Sequence, residues 1–465
     1  MIIIYLLPGF SASIALVIYT GLVLFLLDAF RITLTLPGIA GIILSIGMAV
    51  DANVIIFTRI KEEIGLGRST KDAIKEGYNK ALSAILDGNI TTLIAAFVLN
   101  VKGTGSIKGF AATLALGIVL SMFTALFVTR FILRTFIALG LDNEKLYGRK
   151  VDREAINFVG IRKITYGISL VLIIVGLSFI GFMGSKGKPF NYGLDFEGGS
   201  STSITFNEEL SLSDIDNKVV PLFERELNTS DVQTQKVTGT NQVIIKTRTM
   251  SLSEREAIYD VLMSSEDNGF NVPEDNITTE NISGVVSSQM RQDALVAVII
   301  ATILMLIYIW FRFKDIRFAG SAVLALLHDC LITIGFYGVF RWTVDSTFIA
   351  CMLTIVGYSI NATIVIFDRI RENLGRMHGK GIEEIVNTSV TQTFTRSINT
   401  SLTTLIMVVC LYILGVSSIK AFALPLMIGI IAGTYSSICI TGPLWYDFKN
   451  ISNKKSEQNK SNLKK

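Results

Sequence analysis

A single carboxylate inside an apolar segment is the residue of this sequence best suited to carry chemistry. Asp51 lies in GMAVDANVIIFTRIKEE, residues 47–63. An aspartate at the centre of a membrane helix costs about 2.5–3.5 kcal/mol on insertion scales, so such a residue points to a function and has a partner. Asp51 lies 13 residues after Gly38, too deep in a helix to reach water. We therefore predict that Asp51 loads and unloads an ion; the alternative is a buried structural hydrogen bond.

The same segment occurs a second time in the chain. Residues 357–373, GYSINATIVIFDRIREN, align with residues 47–63 without gaps and place Asn361 at the position of Asp51. Further matches at offsets of 310 to 312 residues include polar positions such as ITTL at 90–93 and LTTL at 402–405. Two bundles of like topology were therefore fused. Parallel repeats of this kind place a shared site at the interface between the halves.

Three more charged residues lie in or beside apolar segments. Asp87 could be a second carboxylate of the pathway or an interfacial cap, and Asp329 lies deep in its segment beside His328. His328 is either a hydrogen-bonded core histidine or a group whose charge changes near neutral pH. Arg396 opens its apolar segment, so it either faces the pathway or extends to the lipid headgroups.

The composition identifies the elements that must position these residues. Of 465 residues, 50% are hydrophobic and 17% are charged, which is typical of a polytopic membrane protein. Lysine and arginine cluster in every second connection between the predicted spans and in the tail after Asp447. These clusters all fall on one side of the membrane, which predicts that this side and the C-terminus are cytoplasmic. The four cysteines lie in the predicted spans and form no disulfide or metal pattern. Apolar windows predict ten spans, near 10–29, 37–58, 81–101, 110–133, 162–183, 292–311, 318–340, 346–367, 395–414 and 421–445.

One long polar insert, residues 184–290, holds 17 acidic and 8 basic residues, so we expect no nucleic-acid partner. Its patterns predict the order βαββαβ, a ferredoxin-like sandwich. Such a sheet could add an extended polypeptide as a further strand, or serve as a rigid spacer. The predicted strands are 200–206, 232–237, 242–247 and 277–286, and the predicted helices are 211–227, capped by Ser211 or Ser213, and 253–264, capped by Ser251 or Ser253, with a turn through Gly239 and Asn241.

Several motifs give the chain a resemblance to a known family. GMAVDANV at 47–54 is similar to the intramembrane motif of SecD, and YGLDFEGG at 192–199 to the start of the SecF extracytoplasmic domain. His328-Asp329 and the GYSIN and DRIREN motifs resemble SecF spans. The chain thus resembles, over nearly its whole length, the Sec translocon accessory proteins SecD and SecF of the RND superfamily.

The resemblance implies a fold, a function and partners. The expected fold class is an α-helical polytopic membrane protein of two pseudo-repeated helix bundles with one α+β ferredoxin-like extracytoplasmic domain. The expected function is ion-gradient-driven promotion of the late stages of protein export across the cytoplasmic membrane. The implied partners are the SecYEG channel, SecA, the exported unfolded polypeptide and membrane lipid. A small-molecule exporter of the RND type and a passive translocon assembly factor are the alternatives.

The resemblance also implies site residues. Arg396 matches the SecF arginine that accompanies the ion-pathway aspartates, and we expect a pathway through Asp51, Asn361, Arg396, Asp87 and Asp329. Ala362 stands where the family usually has an aspartate, so the coupling ion is a proton or sodium. No enzymatic residue, resident metal or cofactor is expected.

The expected domain organisation follows the same likeness. The chain would be a fragment of a longer protein, or an upstream polypeptide would supply the rest of SecD. The expected segments are 1–137, a SecD-like membrane half lacking its first helix, large outer domain and most of its second helix; 138–160, a cytoplasmic linker; 161–183, the first SecF-like span; 184–290, the extracytoplasmic domain; 291–447, the remaining SecF-like spans; and 448–465, a Lys-rich cytoplasmic tail.

Overall fold

The computed structural model of the chain divides into two compact units. The membrane unit holds residues up to Pro189, Val296–Arg341 and the described residues from Thr347 onward, and the α+β unit holds Phe190–Leu295 and Trp342–Ser346. The structure describes residues 1–32, 34–103, 105–148, 154–211, 214–229, 232–236, 240–264, 270–415 and 417–451. The suggested cap Ser213, the turn at Gly239, residues 149–153 of the linker and residues 452–465 of the tail lie outside the described residues.

Within the described ranges, ten helices are long and apolar enough to cross a membrane, and each overlaps one of the ten predicted spans. Two of them contain a π-helical turn, at Thr124–Val128 and at Ser437–Thr441. The membrane helices are α1 (Ile2–Ala29), α2 (Leu36–Gly65), α3 (Thr70–Lys102), α4 (Gly105–Phe123), α5 (Thr129–Ala138), α6 (Phe158–Ser185), α10 (Gly284–Phe313), α11 (Ile316–Phe340), α12 (Ser346–Arg376), α13 (Ile382–Leu414) and α14 (Ser417–Ser436), numbered around three short helices of the α+β unit.

Local sequence signals account for the starts of these helices. Thr35 caps α2 by accepting a hydrogen bond from the Gly38 amide at 3.1 Å, and Pro37 occupies the first turn, where its missing N–H is not needed. Ser69 caps α3 in the same way, accepting from the Asp72 amide at 3.2 Å. The helices that contain Asp51 and Asp87 therefore have defined starts, which fix the positions of both residues along them.

The two halves of the membrane unit pack with the pseudo-symmetry that the sequence repeat predicts. Gly47 of α2 lies against Thr404 of α13, and its counterpart Gly357 of α12 lies against Thr92 of α3. A Cβ atom would lie 3.3 Å from Thr404 Cγ2 in the first case and 3.1 Å from Thr92 Cα in the second. The helix that carries the repeated segment in each half, α2 or α12, thus packs against a helix of the other half.

Some equivalent residues of the two halves contact one another directly. The rings of Phe110 and Phe422, 312 residues apart in the repeat, meet edge to face with centroids 4.8 Å apart. Asp51 and Asn361 meet in the same way. Positions that contact their own counterparts lie close to the pseudo-twofold axis, so Asp51 is placed on the axis that relates the halves.

The α+β unit has the predicted ferredoxin-like topology. Its main sheet has the strand order β3-β4-β2-β5 with every pair antiparallel, and the short strands β1 and β6 pair in parallel. A buried apolar core that includes Ile204, Phe223 and Ile258 joins helices and sheet. The elements are β1 (Asn191–Tyr192), α7 (Leu194–Glu197), β2 (Gly199–Thr205), a π-helical turn (Ile215–Val219), α8 (Val220–Leu227), β3 (Gln233–Lys236), β4 (Gln242–Thr247), α9 (Leu252–Met263), β5 (Ile277–Ile282) and β6 (Thr343–Val344).

Most of the predicted signals of this unit are correct, and one strand boundary is wrong. Ser251 caps α9 in a capping box with Glu254, and the hydroxyl of Ser211 accepts from the Asp214 amide. Gly198 and Gly199 have φ angles of +80° and +110°, which explains the glycine pair before β2. The last strand ends at Ile282, not at residue 286, because α10 begins at Gly284 and takes Val285 and Val286 into a helix.

Candidate functional site

The carboxylate of Asp51 is held between the two halves. Asp51 lies in the middle of α2 and is 3% exposed. The side-chain amide of Asn361 on α12 donates a hydrogen bond to Asp51 Oδ2 at 2.9 Å. The charge of Arg396 and a hydrogen bond from Thr400 also act on this carboxylate. A proton or a small cation bound at Asp51 would neutralise a charge that the fold has removed from water.

A small cavity lies beside this contact, and Arg396 faces it. Arg396 is buried in α13, well inside a helix that begins at Ile382. Among the described residues, Asp51 and Arg396 form no direct ion pair, although their charges interact across the cavity. An ion or water between them would meet both charges. The lining residues are Asp51, Tyr358, Asn361, Ala362, Val365, Arg396, Ser397 and Thr400.

Two polar atoms at this site have no partner in the described part of the chain. They are Oδ1 of Asn361, an acceptor, and Nη2 of Arg396, a donor, and both are buried. Buried polar atoms without a partner are uncommon in native proteins, and each calls for an explanation such as a water or an ion. The site thus holds a carboxylate, an amide oxygen without a partner next to Gly88, and a guanidinium nitrogen without a partner. Within the same described residues, no group of three or more His, Cys, Asp or Glu side chains could hold a metal ion.

A network of four charges bridges the halves farther along the same two helices. Arg59 of α2 donates to Glu62 at 2.8 Å and to Glu372 of α12 at 3.4 Å. Arg369 of α12 donates to Glu372 at 3.1 Å and also to Glu62. Arg59 matches Arg369 and Glu62 matches Glu372 in the repeat, so each arginine binds its own and the opposite glutamate. We call these four residues the charge network.

Arg396 connects the cavity to the charge network through electrostatics. Its charge interacts with Asp51 on one side and with Arg59 and Glu62 on the other. Asp51 and Glu62 are eleven residues apart on α2, close to three turns, so they face the same side of the helix. Arg396 therefore responds to the charge of Asp51 and to that of the network.

Asp87 makes a separate contact between the halves. Tyr308 donates to Asp87 Oδ1 at 2.7 Å, and Arg312 Nε donates to Asp87 Oδ2 at 2.6 Å. Arg312 also lies 3.4 Å from Asp368 of α12. Both oxygens of Asp87 are thus held by α10, and Asp87 is no cap of its helix. Its neighbours Gly88 and Asn89 line a pocket next to Asp51, but Asp87 itself does not.

Asp329 forms a third cluster, also apart from the Asp51 cavity. It lies in α11 and accepts hydrogen bonds from Ser359 at 2.5 Å and from Ser436 at 2.8 Å. His328 Nδ1 lies 2.9 Å from its second oxygen. The structure thus brings Asp51, Asn361 and Arg396 together and keeps Asp87 and Asp329 in clusters of their own. Their roles in an ion pathway remain predictions.

Sequence reasoning missed the partners of Asp87. Tyr308 and Arg312 are 221 and 225 residues from Asp87, at the end of a span where an arginine is typical of a headgroup contact. No local signal links them. The charge network, by contrast, had a signal in the paired arginines and glutamates of the repeat, although the sequence does not show which glutamate each arginine binds.

Comparisons with known proteins identify the family of the chain. A family model described as "Protein export membrane protein SecD/SecF, C-terminal" matches residues 2–138 and 264–451, and a "SecD/SecF GG Motif" matches residues 187–208. The Bacillus subtilis protein translocase subunit SecDF is 36% identical over 479 residues, covering 98% of this chain and 63% of that protein. The SecF subunit of Sebaldella termitidis is 39% identical over 279 residues, covering 60% of this chain and 88% of that protein.

A solved structure shows the same architecture. The crystal structure of SecDF from Thermus thermophilus, described as a translocon-associated membrane protein, matches with a TM-score of 0.85 at 33% identity. The match covers 97% of this chain and 60% of that one, so the chain spans less than two thirds of the SecDF relatives it matches. By the family match and the shared fold, this multi-pass membrane protein belongs to the SecD/SecF family of protein-export membrane proteins.

Proposed function

We propose that the chain is the membrane part of an ion-gradient-driven accessory component of the Sec translocase that promotes the late stages of protein export. The observation that carries the proposal is the Asp51–Asn361 contact between the halves, beside a cavity that Arg396 faces. The family supplies the export context. The proposed partners are the SecYEG channel, SecA and the exported polypeptide, with the α+β unit outside the membrane and the C-terminus in the cytoplasm.

Ion binding at Asp51 would change the balance of charge around Arg396. With Asp51 ionised, the guanidinium of Arg396 faces a negative charge in the cavity. A proton on Asp51 removes that charge, and Glu62 of the charge network then becomes the anion whose charge acts on Arg396. The ion thus acts on the residues that join α2, α12 and α13, and relative movement of these helices would couple the ion to export.

The driving energy is sufficient for such a movement. One elementary charge crossing about 100 mV supplies about 2.3 kcal/mol. This free energy changes a two-state equilibrium by more than tenfold, since tenfold corresponds to about 1.4 kcal/mol. It biases a rearrangement of packed helices but does not unfold a substrate.

The proposed ion is a proton, with sodium as the alternative. Ala362 lines the cavity and contributes no carboxylate, whereas Asn361 offers a free Oδ1 and Thr400 lies beside it. One carboxylate with neutral oxygens also suits a desolvated sodium ion. Imposing a sodium gradient or a pH gradient at equal membrane potential distinguishes the two, because only the coupling ion stimulates export.

The direct test is Asp51→Asn, measured as export into inverted membrane vesicles. The amide keeps the size of the side chain but removes its charge, so we expect gradient-stimulated export to fall to the unstimulated level while ATP-driven export continues. Asp28→Asn is the matched control, because Asp28 is an exposed carboxylate near the end of α1. Full gradient stimulation in Asp51→Asn would leave the assembly-factor reading as the better one.

A second variant tests the partnership of Arg396 with Asp51. Arg396→Ala leaves the ionised carboxylate without its nearest buried cation, so we expect a loss of stimulation comparable to that of Asp51→Asn. The double variant should be no worse than either single one, since interacting residues are not additive. Fully additive losses would show that the two residues act in separate steps.

A further inference from the structure

A second buried cluster of titratable side chains lies outside the Asp51 cavity. Asp329 is 1% exposed, and His328 is 8% exposed. Three groups surround the carboxylate: Ser359 of α12 and Ser436 of α14 donate to Oδ2, and His328 Nδ1 lies 2.9 Å from Oδ1. Side chains from three helices therefore converge on one carboxylate.

One atom of the cluster lacks a partner. Nε2 of His328 is buried and has no hydrogen-bond partner among the described residues. The Tyr435 ring packs beside the imidazole, with the two ring centroids 6.0 Å apart. An imidazole that directs one nitrogen to a carboxylate has the other nitrogen available for a proton.

The charge of the cluster depends on one proton. With Nδ1–H donating to the Asp329 carboxylate and Nε2 unprotonated, the pair carries one net negative charge in a buried site. A proton taken from water onto Nε2 gives an imidazolium beside the carboxylate, and the pair becomes net neutral. Burying an uncompensated charge is expensive. No lysine or arginine pairs with Asp329 in the described chain, so a proton on the imidazole is the positive charge that the side chains of this site can supply.

The cluster shares a helix with the Asp51 site. Ser359 and Asn361 are two residues apart on α12, about 200° around the helix. Asn361 donates to Asp51 on one face of α12, and Ser359 donates to Asp329 on the other. This cluster has no counterpart in the first half, because Tyr19 stands at the position of Asp329 and Ala49 at the position of Ser359.

We propose that His328 and Asp329 form a second proton-binding site, on the face of α12 opposite Asp51. The other titratable groups that face the pair are Cys330 on α11 and Tyr435 on α14, whose hydroxyl donates to the Thr165 carbonyl of α6 at 2.8 Å. On the side of α12, the group that reaches Asp329 is the neutral hydroxyl of Ser359. The proposal does not depend on the export function, because its test reads the proton itself.

The test is nitrogen-15 NMR of the full chain, labelled in histidine and reconstituted in lipid bilayers. The chain has two histidines, and His378 is exposed, so it serves as an internal reference. We expect the nitrogen-15 signals of His328 to change from those of the neutral imidazole to those of the doubly protonated imidazole when the pH is lowered from about 9 to about 5. Asp329→Asn should remove this change, and Asp51→Asn should retain it.

Three results would overturn the proposal. The first is a His328 signal that stays neutral over the whole range, and the second is the same spectral change produced by sodium chloride at constant pH. The third comes from Ser359→Ala, which the fold should accept because Ala49 stands at the corresponding position. This variant removes one hydrogen bond to Asp329 and should shift the pH midpoint of the His328 spectral change, whereas the control Ser13→Ala should not. An unchanged midpoint in Ser359→Ala contradicts the proposal even if Asp329→Asn fails to fold.

Discussion

Removing one arginine of the charge network should destabilise the membrane unit far more than removing an exposed arginine next to it. Arg369 is 6% exposed and binds Glu62 and Glu372. Arg376 is 57% exposed and, among the described residues, pairs with Glu372. The variants Arg369→Ala and Arg376→Ala remove the same side chain from the same helix, one inside the network and one at its edge.

The expected magnitudes follow from burial. Breaking a buried ion pair by removing one partner costs about 3–5 kcal/mol, because the other charge remains buried. Arg59 still contacts both glutamates in Arg369→Ala, at 2.8 Å and 3.4 Å, so we expect the lower end, about 3 kcal/mol. An exposed pair contributes about 0–1 kcal/mol, which is the expectation for Arg376→Ala.

The measurement is equilibrium unfolding in mixed micelles, followed by tryptophan fluorescence in a Trp342→Phe background. The remaining tryptophans, Trp310 and the buried Trp445, lie in the membrane unit and report on it alone. A double-mutant cycle between Arg59 and Glu372 then isolates the contact between the halves. Equal stability of Arg369→Ala and Arg376→Ala, or no coupling in the cycle, would refute the idea that the network holds the halves together.

Three further outcomes are expected. In Gly88→Ala the new Cβ would overlap the side chain of Asn361, which must then turn away from Asp51. Gradient-stimulated export should therefore fall roughly tenfold. The control Gly21→Ala, whose new Cβ meets no atom within 4 Å, should export normally. Asp87→Asn should lower the free energy of unfolding by about 1.5–3 kcal/mol through weaker bonds to Arg312 and Tyr308. If Asp87 belongs to the predicted ion pathway, gradient stimulation per folded molecule should fall as well, whereas retained stimulation would leave Asp87 as a structural contact between the halves. In the α+β unit, hydrogen bonds from Arg248 and Ser251 lower the pKa of Glu254 to about 2. This stabilisation is fully present above the ordinary glutamate pKa of about 4.3 and is lost as the pH falls towards about 2, so Glu254→Gln, unlike the exposed Glu256→Gln, should reduce the acid dependence of unfolding monitored by Trp342.

Contacts between equivalent positions of the two repeats are predictable from the sequence, and other long-range contacts are not. Asp51 and Asn361 align in the two halves, and pseudo-symmetry brings them together on the axis. Arg396 was open to two interpretations because an apolar window starts at residue 395, whereas α13 starts at Ile382 and encloses the arginine. The residues between Ile382 and the apolar window are largely polar but helical, so the helix starts earlier than a hydropathy window indicates.

Short-range patterns have a comparable limit in the α+β unit. Val285 and Val286 extend the alternation of β5, and β-branched residues favour strands. Gly284 nevertheless begins α10, and Val285 is 82% exposed on that helix. An apolar residue at the start of a membrane helix needs no protein core around it, so its hydrophobicity does not indicate a buried strand.

The strength of the charge network sets a limit on how the proposed coupling can work. Removing one arginine of the charge network is expected to cost about 3 kcal/mol, which is of the same order as the 2.3 kcal/mol or so that one charge gains across about 100 mV. If the contact between the halves were several times stronger, one ion could not shift the equilibrium between the closed and open charge network. If the contact were far weaker, the network would not stay closed in the interval before the next ion binds. A ligand shifts an equilibrium only by its differential affinity for the two states, and Arg396, which interacts with Asp51 and with Glu62, gives the ion such a difference. The proposed cycle therefore needs about one ion at Asp51 for each opening of the network, and a proton at His328 and Asp329 would add its own bias through the opposite face of α12.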